Sequence, residues 1–366
     1  MKRFKENTEM AITRMEAWWS GEIIDRIPII VTAPADHAAA YHGPDTDDLM
    51  KWWTEWEFIL PRNLHMLENT YFGGEAFPAF RPVHGGMVSI VSRYLGAENT
   101  FLDKRTTWAE PFIEDWANRA ELCFDPENFY WQKTEELLSR AVKYIEENDL
   151  ECYCYVPDFN GPTQTVCDVR GMEQLAMDLM ECPEEVLRAF DEVNQTWLEC
   201  WKRASAITGR TGGYLWWMNV LSTEPATDLQ SDVSCILSPR MFDKYLLPFI
   251  RQQSEWVGRT IYHLDGPDAV RHLDSLLSLP ELDAVQWVSG AGQPSADKWP
   301  DLLTRIREGG KQILIGCPAD GIQELLERMG PEGLLIQTHC RSRQEADDLL
   351  RNAEKWSVRK NRVRVS

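Results

Sequence analysis

His263 and Asp265 stand two residues apart at the end of the β-forming run Thr260-Ile261-Tyr262-His263-Leu264-Asp265, and Cys340 ends a second such run that begins at Gly333. Residues i and i+2 of a strand project to one side, so this imidazole and carboxylate would face the same space. Imidazole nitrogen, carboxylate oxygen and thiolate sulfur all bind zinc, and three protein ligands leave a position for substrate. His263, Asp265 and Cys340 are therefore chemically competent candidate ligands for a zinc ion (Zn2+). Cys317 and Cys235 are candidates for the remaining position; His339, opposite Cys340 on an ideal strand, is held in reserve. A plainer reading stays open, with His263 a hydrogen-bonded polar residue and Cys340 a small apolar filler. Cys152 and Cys154 share a strand face, and two thiols alone are better read as packing.

A second group of polar residues follows the expected strand ends. Asp158, Glu224 and Asp232 are the candidate catalytic carboxylates, and Asn219, Gln230 and Gln286 are candidate substrate contacts. Trp216, Trp217, Tyr262 and Trp287 supply candidate pocket walls, although core packing would suit several of them as well. Any one of the polar residues could instead be a cap.

These residues need elements to position them. From about residue 150 onward, short β-rich runs alternate with helical patterns, the signature of parallel strands joined by helices. The expected strands are Glu151 to Val156, Gly213 to Asn219, Thr260 to Asp265, Asp283 to Ser289, Gln312 to Cys317 and Gly333 to Cys340. Adding Ile27 to Ala33 and a weaker run at Phe77 to Arg81 gives eight, the number that closes an α/β (β/α)8 TIM barrel. An open doubly wound sheet is the alternative. In a closed barrel the strand ending at Asp265 and the strand ending at Cys340 lie apart, so loops must bring the three ligands together. Helices are expected at Gly171 to Thr208, Pro239 to Val257, Asp268 to Ser278, Trp299 to Glu308, Gly321 to Met329 and Arg343 to Trp356, with Ser238 as an N-cap ahead of Pro239. Residues 34–150 read as irregular, with Trp52, Trp53 and Trp56 on one helix and Gly73-Gly74 and Gly85-Gly86 in turns. They are expected to cover the barrel mouth within a single domain spanning residues 1–366.

Composition excludes several classes. Lys and Arg number 38 against 58 Asp and Glu, and the formal charge of −20 repels phosphate backbones and anionic lipid, so neither nucleic acid nor membrane is expected as a partner. No apolar run approaches a bilayer span and no signal peptide is evident, which points to a cytoplasmic protein. Nine cysteines, an odd number, read as reduced thiols. No GxGxxG opening a helix, P-loop or GxSxG is present. A homodimer is left open.

Three segments carry a family resemblance. Asp25-Arg26-Ile27-Pro28, Leu237-Ser238-Pro239-Arg240-Met241-Phe242 with Leu247-Pro248-Phe249, and Gln286-Trp287-Val288-Ser289-Gly290-Ala291-Gly292 are similar to recurring segments of the uroporphyrinogen decarboxylase superfamily. That resemblance implies the barrel independently of periodicity. The porphyrin decarboxylases carry an arginine-rich stretch after the first strand, where this chain reads Thr32-Ala33-Pro34-Ala35-Asp36-His37, so porphyrinogen decarboxylation is not expected. The corrinoid-dependent methyltransferase branch places a His-x-Cys on the fifth strand and a Cys after the eighth around zinc. This chain resembles it at His263 and Cys340, with Asp265 where a thiolate would stand, and it is this resemblance that joins the three as one zinc set.

The resemblance implies a zinc-dependent methyltransferase that moves a methyl group between a small substrate and a corrinoid carried by a partner protein. An oxygen ligand makes the metal harder, which leans toward a methyl ether as donor. The alternatives are a metal-free lyase or decarboxylase of a small carboxylate, using Asp158 or Asp232, and a barrel that binds a corrinoid or folate partner without chemistry.

Overall fold

The computed structural model describes residues 2–83, 90–104 and 107–357; the expected turn at Gly85-Gly86 lies outside them. Eleven strands position the site: β1 (Ile29–Pro34), β2 (Thr70–Gly74), β3 (Ala79–Phe80), β4 (Tyr153–Cys154), β5 (Tyr214–Leu215), β6 (Leu221–Ser222), β7 (Ala226–Gln230), β8 (Arg259–Asp265), β9 (Ala284–Val288), β10 (Gln312–Gly316) and β11 (Leu334–His339). Seven of them form one sheet in the order β7-β8-β9-β10-β11-β1-β2, parallel throughout except for β2. Ile313, Leu314 and Ile315, like Leu334, Leu335 and Ile336, are fully buried, as expected for parallel strands covered on both faces. A separate parallel arc joins β3 to β4, and an isolated bridge from Tyr155 to Leu215 extends it to β5. Among the described residues these pairings give a mixed α/β fold dominated by parallel strands; they do not close a hydrogen-bonded ring.

Two departures from the sequence expectation matter for the site. The run expected at Gly213 to Asn219 is extended only over Tyr214–Leu215, then turns through Asn219, which adopts a left-handed backbone (φ 54°), and returns antiparallel as β6. β7 was not expected at all. Its residues Ala226-Thr227-Asp228-Leu229-Gln230 present polar groups inward, so hydrophobicity does not mark it.

Helices occupy much of the segment read as irregular, including Leu49–Thr54, Trp56–Asn69 and Phe129–Glu147. The three tryptophans are not on one helix, because Glu55 is extended (ψ 129°) and separates Trp53 from Trp56. Gly73-Gly74 ends β2 rather than a turn; a Cβ on Gly74, whose φ is +52°, would lie 2.2 Å from the Ile29 carbonyl oxygen. The expected helix from Gly171 is two, Met172–Glu181 and Pro183–Thr208, divided at the proline, and Leu247–Val257 likewise follows Pro239–Tyr245 as a separate helix. Ser238 caps as expected, accepting from the Met241 amide at 3.3 Å. All nine cysteines are free, and among the described residues no helix is long and apolar enough to cross a membrane.

Candidate active site

Register decides which side chains meet. Parallel partners share a face, and β7 to β11 align Gln230, His263, Gln286, Leu314 and Leu335 in one row. The row below holds Asp228, Ile261, Ala284 and Gln312. Toward the carboxyl ends the same face carries Asp265, Val288, Gln337 and Ile30, then His339 beside Thr32. His263 is fixed by its Nδ1, 2.6 Å from Gln286 Oε1, and by the edge-on Trp217 ring 5.1 Å away.

Carboxylates surround this histidine. Asp158, just beyond β4, accepts hydrogen bonds through Oδ1 from Gln230 Nε2 (2.9 Å) and from the Asn160 amide (3.0 Å). Its pKa is raised by burial and by Asp232, against the pull of the Asn160 amide and of His263. Asp228 is buried, and its pKa is driven well above the carboxylate range by burial and then by Asp158. The Trp217 indole lies against Asp228 short of full hydrogen-bond geometry. Asp232, at the mouth and open to solvent, is raised by partial enclosure and by Asp265, with His263 opposing. Half-buried Asp158 and buried Asp228 do not both ionise cheaply, which favours a proton held between them, the condition for a general acid.

A cavity of about 330 Å³ opens on the same face. Ile30, Phe72, Ala76 and Phe77 line its apolar side; Arg81, Asn219 and Gln337 line its polar side. Asn219 Oδ1 accepts from Arg81 Nη2 (2.7 Å) and from the Tyr155 hydroxyl, and Gln337 Nε2 donates to the Met218 carbonyl. The turn Trp216 to Asn219 thus joins the cavity to His263.

The structure gathers His263, Asp158, Asp232, Gln230, Gln286 and Trp217 in one place, with Asp265 and Asn219 close by on the same face or turn. It separates others. Glu224 precedes β7 and therefore lies at the amino ends of the strands, where its amide is 3.2 Å from Ser222 Oγ, so the catalytic role expected of it is corrected. Tyr262 and Trp287 alternate with the residues of the site row and project to the opposite face, where Trp287 packs on Trp299 (5.2 Å) in the helical layer. Trp216 is fully buried.

The expected metal set does not assemble. Cys340 follows His339 in extended chain, its amide bonding the Thr32 carbonyl (2.8 Å), which turns its side chain away from His263. It is buried, and burial and Glu345 raise its thiol pKa. His339, kept in reserve, is the residue that shares the site face, with Nδ1 3.0 Å from Thr32 Oγ1. Cys317 donates to the Pro318 carbonyl (3.3 Å), and Cys235 is exposed. Among the described residues no group of three or more His, Cys, Asp or Glu could hold a metal ion. Asp228 was missed by sequence reading; its signal was the i, i+2, i+4 spacing of Asp228, Gln230 and Asp232.

Comparison with known proteins gives no matching family model and no matching curated protein. Solved structures do match. A methyltransferase from Methanosarcina mazei superposes with a TM-score of 0.57 at 15% identity, over 94% of this chain and 98% of that one. At such identity the likeness establishes a shared fold.

Proposed function

We propose that this chain is a cytoplasmic methyltransferase on a closed (β/α)8 barrel, passing a methyl group from a small methyl ether to a corrinoid on a partner protein. The observation that carries it is the carboxyl pair of half-buried Asp158 and buried Asp228 beside His263, set in a fold that matches a methyltransferase along nearly its full length. Methyl transfer from oxygen to reduced cobalt breaks the carbon–oxygen bond and leaves the electron pair on oxygen. That oxygen needs a proton, and the protonated carboxyl of the pair supplies it. Gln286 orients His263 beside the carboxylate left behind. Asp232 and Asp265 are exposed at the mouth, where the partner's corrinoid must approach.

Zinc is given no step, because Cys340 leaves by the other face and His263 and Asp265 alone make an incomplete site. The deciding assay mixes the full chain with reduced cobalamin and methoxylated compounds and follows methylcobalamin absorbance. Its appearance, and its loss in Asp228→Asn, is the expected result; its absence with every donor would sink the reading. A decarboxylase of a small carboxylate is the second reading, favoured by the arginine that lines a cavity near a proton-donating pair. There the carbon–carbon bond breaks, carbon dioxide leaves and the pair protonates the carbanion. Carbon dioxide release without methylcobalamin would select it.

A further inference from the structure

A second cavity, of about 270 Å³, adjoins the first, and Arg81 lines both. Its described lining holds three cationic side chains, Arg62, Arg81 and Lys104, and no carboxylate, in a chain of net charge −20. Lys104 is paired with Asp45 at the rim. The two arginines are not so paired. Arg81 donates from Nη2 to Asn219, while its Nε is buried with no partner among the described residues. Among the described residues Arg62 donates to the carbonyls of Phe58 (2.9 Å) and Trp52 (2.7 Å), and its guanidinium stacks 3.7 Å from the Trp52 ring centroid. Burial lowers the Arg62 pKa to about 10, outweighing the pull of Tyr41 and of Asp45, the carboxylate that Lys104 already pairs.

A desolvated guanidinium without its anion is costly, and such a group is retained where a ligand supplies the missing charge. The neighbouring lobe offers Ile30, Phe72 and Phe77 to a flat apolar body. We propose that the two lobes together bind a small aromatic carboxylate, its carboxylate on Arg81 and Arg62 and its ring against Phe72 and Phe77. Guanidinium nitrogens match a carboxylate in two parallel hydrogen bonds, which selects the anion over its amide. The proposal rests on the methyl-transfer reading only in naming the bound molecule as the methyl donor.

Calorimetric titration of the full chain with benzoate and with benzamide tests the cavity without requiring turnover. Benzoate is expected to bind at least about tenfold more tightly, the effect of one charge-assisted hydrogen bond. Arg81→Gln should abolish that preference, Arg81→Lys should keep part of it, and Glu224→Gln, at the other end of the strands, should leave it unchanged. If Arg81→Gln fails to fold by thermal melting, Arg62→Gln in the same titration should weaken benzoate several-fold and leave benzamide alone. Equal binding of the two probes, or an undiminished preference in whichever arginine variant folds, overturns the proposal. The two readings can fail separately. Arg81-dependent benzoate binding with no methyl transfer from methoxybenzoate keeps the cavity and removes the methyltransferase; equal transfer from methoxybenzoate and methoxybenzamide does the reverse.

Discussion

The two ends of the strands treat buried charge in opposite ways. At the amino ends, Glu75 is fully buried and accepts from Arg26 Nη1 (2.8 Å) and Nη2 (2.9 Å), from Arg14 (3.3 Å) and from the Ile29 amide (2.7 Å). Arg14 also grips Asp25 with two bonds of 2.7 and 2.6 Å, which pulls the Asp25 pKa down. Every carboxylate of that cluster faces a cation. At the carboxyl ends, Asp158, Asp228 and Asp232 face one another around His263, and burial together with like charge pushes their pKa values up. The first arrangement is what stability alone would select. The second disfavours the folded state at neutral pH, and chemistry accounts for such a cluster where packing does not.

The largest effect should come from breaking the paired end. Glu75→Ala would leave Arg26 buried without its carboxylate and Arg14 held by Asp25 alone, and removing one partner of such a buried pair costs about 3–5 kcal/mol. Urea unfolding followed by circular dichroism measures it. A loss below about 1 kcal/mol would mean that water enters and solvates the arginines, and the contrast between the ends would weaken.

Asp228→Asn should move stability and activity in opposite directions. Because the folded-state pKa of Asp228 is raised, the folded chain holds an extra proton between the ordinary carboxyl value and that raised value. Stability from this group is full below the unfolded carboxyl pKa and declines as pH rises toward the folded one. The asparagine variant lacks that decline, so its melting temperature should exceed the wild type's near neutrality and lose the advantage in acid. Methyl transfer should fall by about 10²-fold or more, the usual contribution of a positioned acid. In the wild type, kcat/KM should fall on the alkaline side as the pair loses its proton. A variant that is both less stable and fully active would make Asp228 a structural residue.

How far the sequence could be read follows the same division. Runs such as Gln312-Ile313-Leu314-Ile315 announce themselves because both faces are apolar, and β8 to β11 lie within one residue of the expected bounds. β7 is silent because Asp228 and Gln230 break the apolar pattern at the very positions that build the site. Without β7, Glu224 looked like a residue of the mouth, whereas it stands before the strand. His263 with Gln286, and Asp158 with Gln230, were legible as polar residues at strand ends, but their pairing depends on register, which one sequence does not encode locally. The arginines of the cavity went unremarked because they lie on segments far apart in the chain, Arg62 on a helix and Arg81 just after β3. The Asp25-Arg26-Ile27-Pro28 segment, noted as a family likeness, turns out to be part of the paired clamp.

A smaller effect should attend Gln286→Leu. The glutamine is buried and holds the imidazole through one 2.6 Å contact. Losing it should cost about tenfold in kcat with little change in KM, as expected when a positioning contact is removed and stability is largely preserved. Gln286→Glu, which keeps an acceptor at that position, should restore part of the rate. If kcat is unchanged in Gln286→Leu, His263 is held by Trp217 alone.

The smallest effect is expected at Cys340. Its side chain sits on the far face from His263, buried and neutral, so Cys340→Ser exchanges a small apolar filler for a hydroxyl and should cost about 1 kcal/mol of stability. Zinc content of protein purified without chelator, and methyl transfer, should both be indifferent to it. His263→Gln is the informative partner experiment, because the imidazole does face the site whether its role is to hold metal or to steady the carboxyl pair. If Cys340→Ser lowers bound zinc sharply while His263→Gln does the same, the segment after β11 must rotate to bring the thiol across, and the three-ligand site implied by the family resemblance would be restored over the carboxyl-pair mechanism. If zinc is lost only in His263→Gln, the histidine binds metal with mouth carboxylates such as Asp232 and Asp265, and Cys340 remains a packing residue.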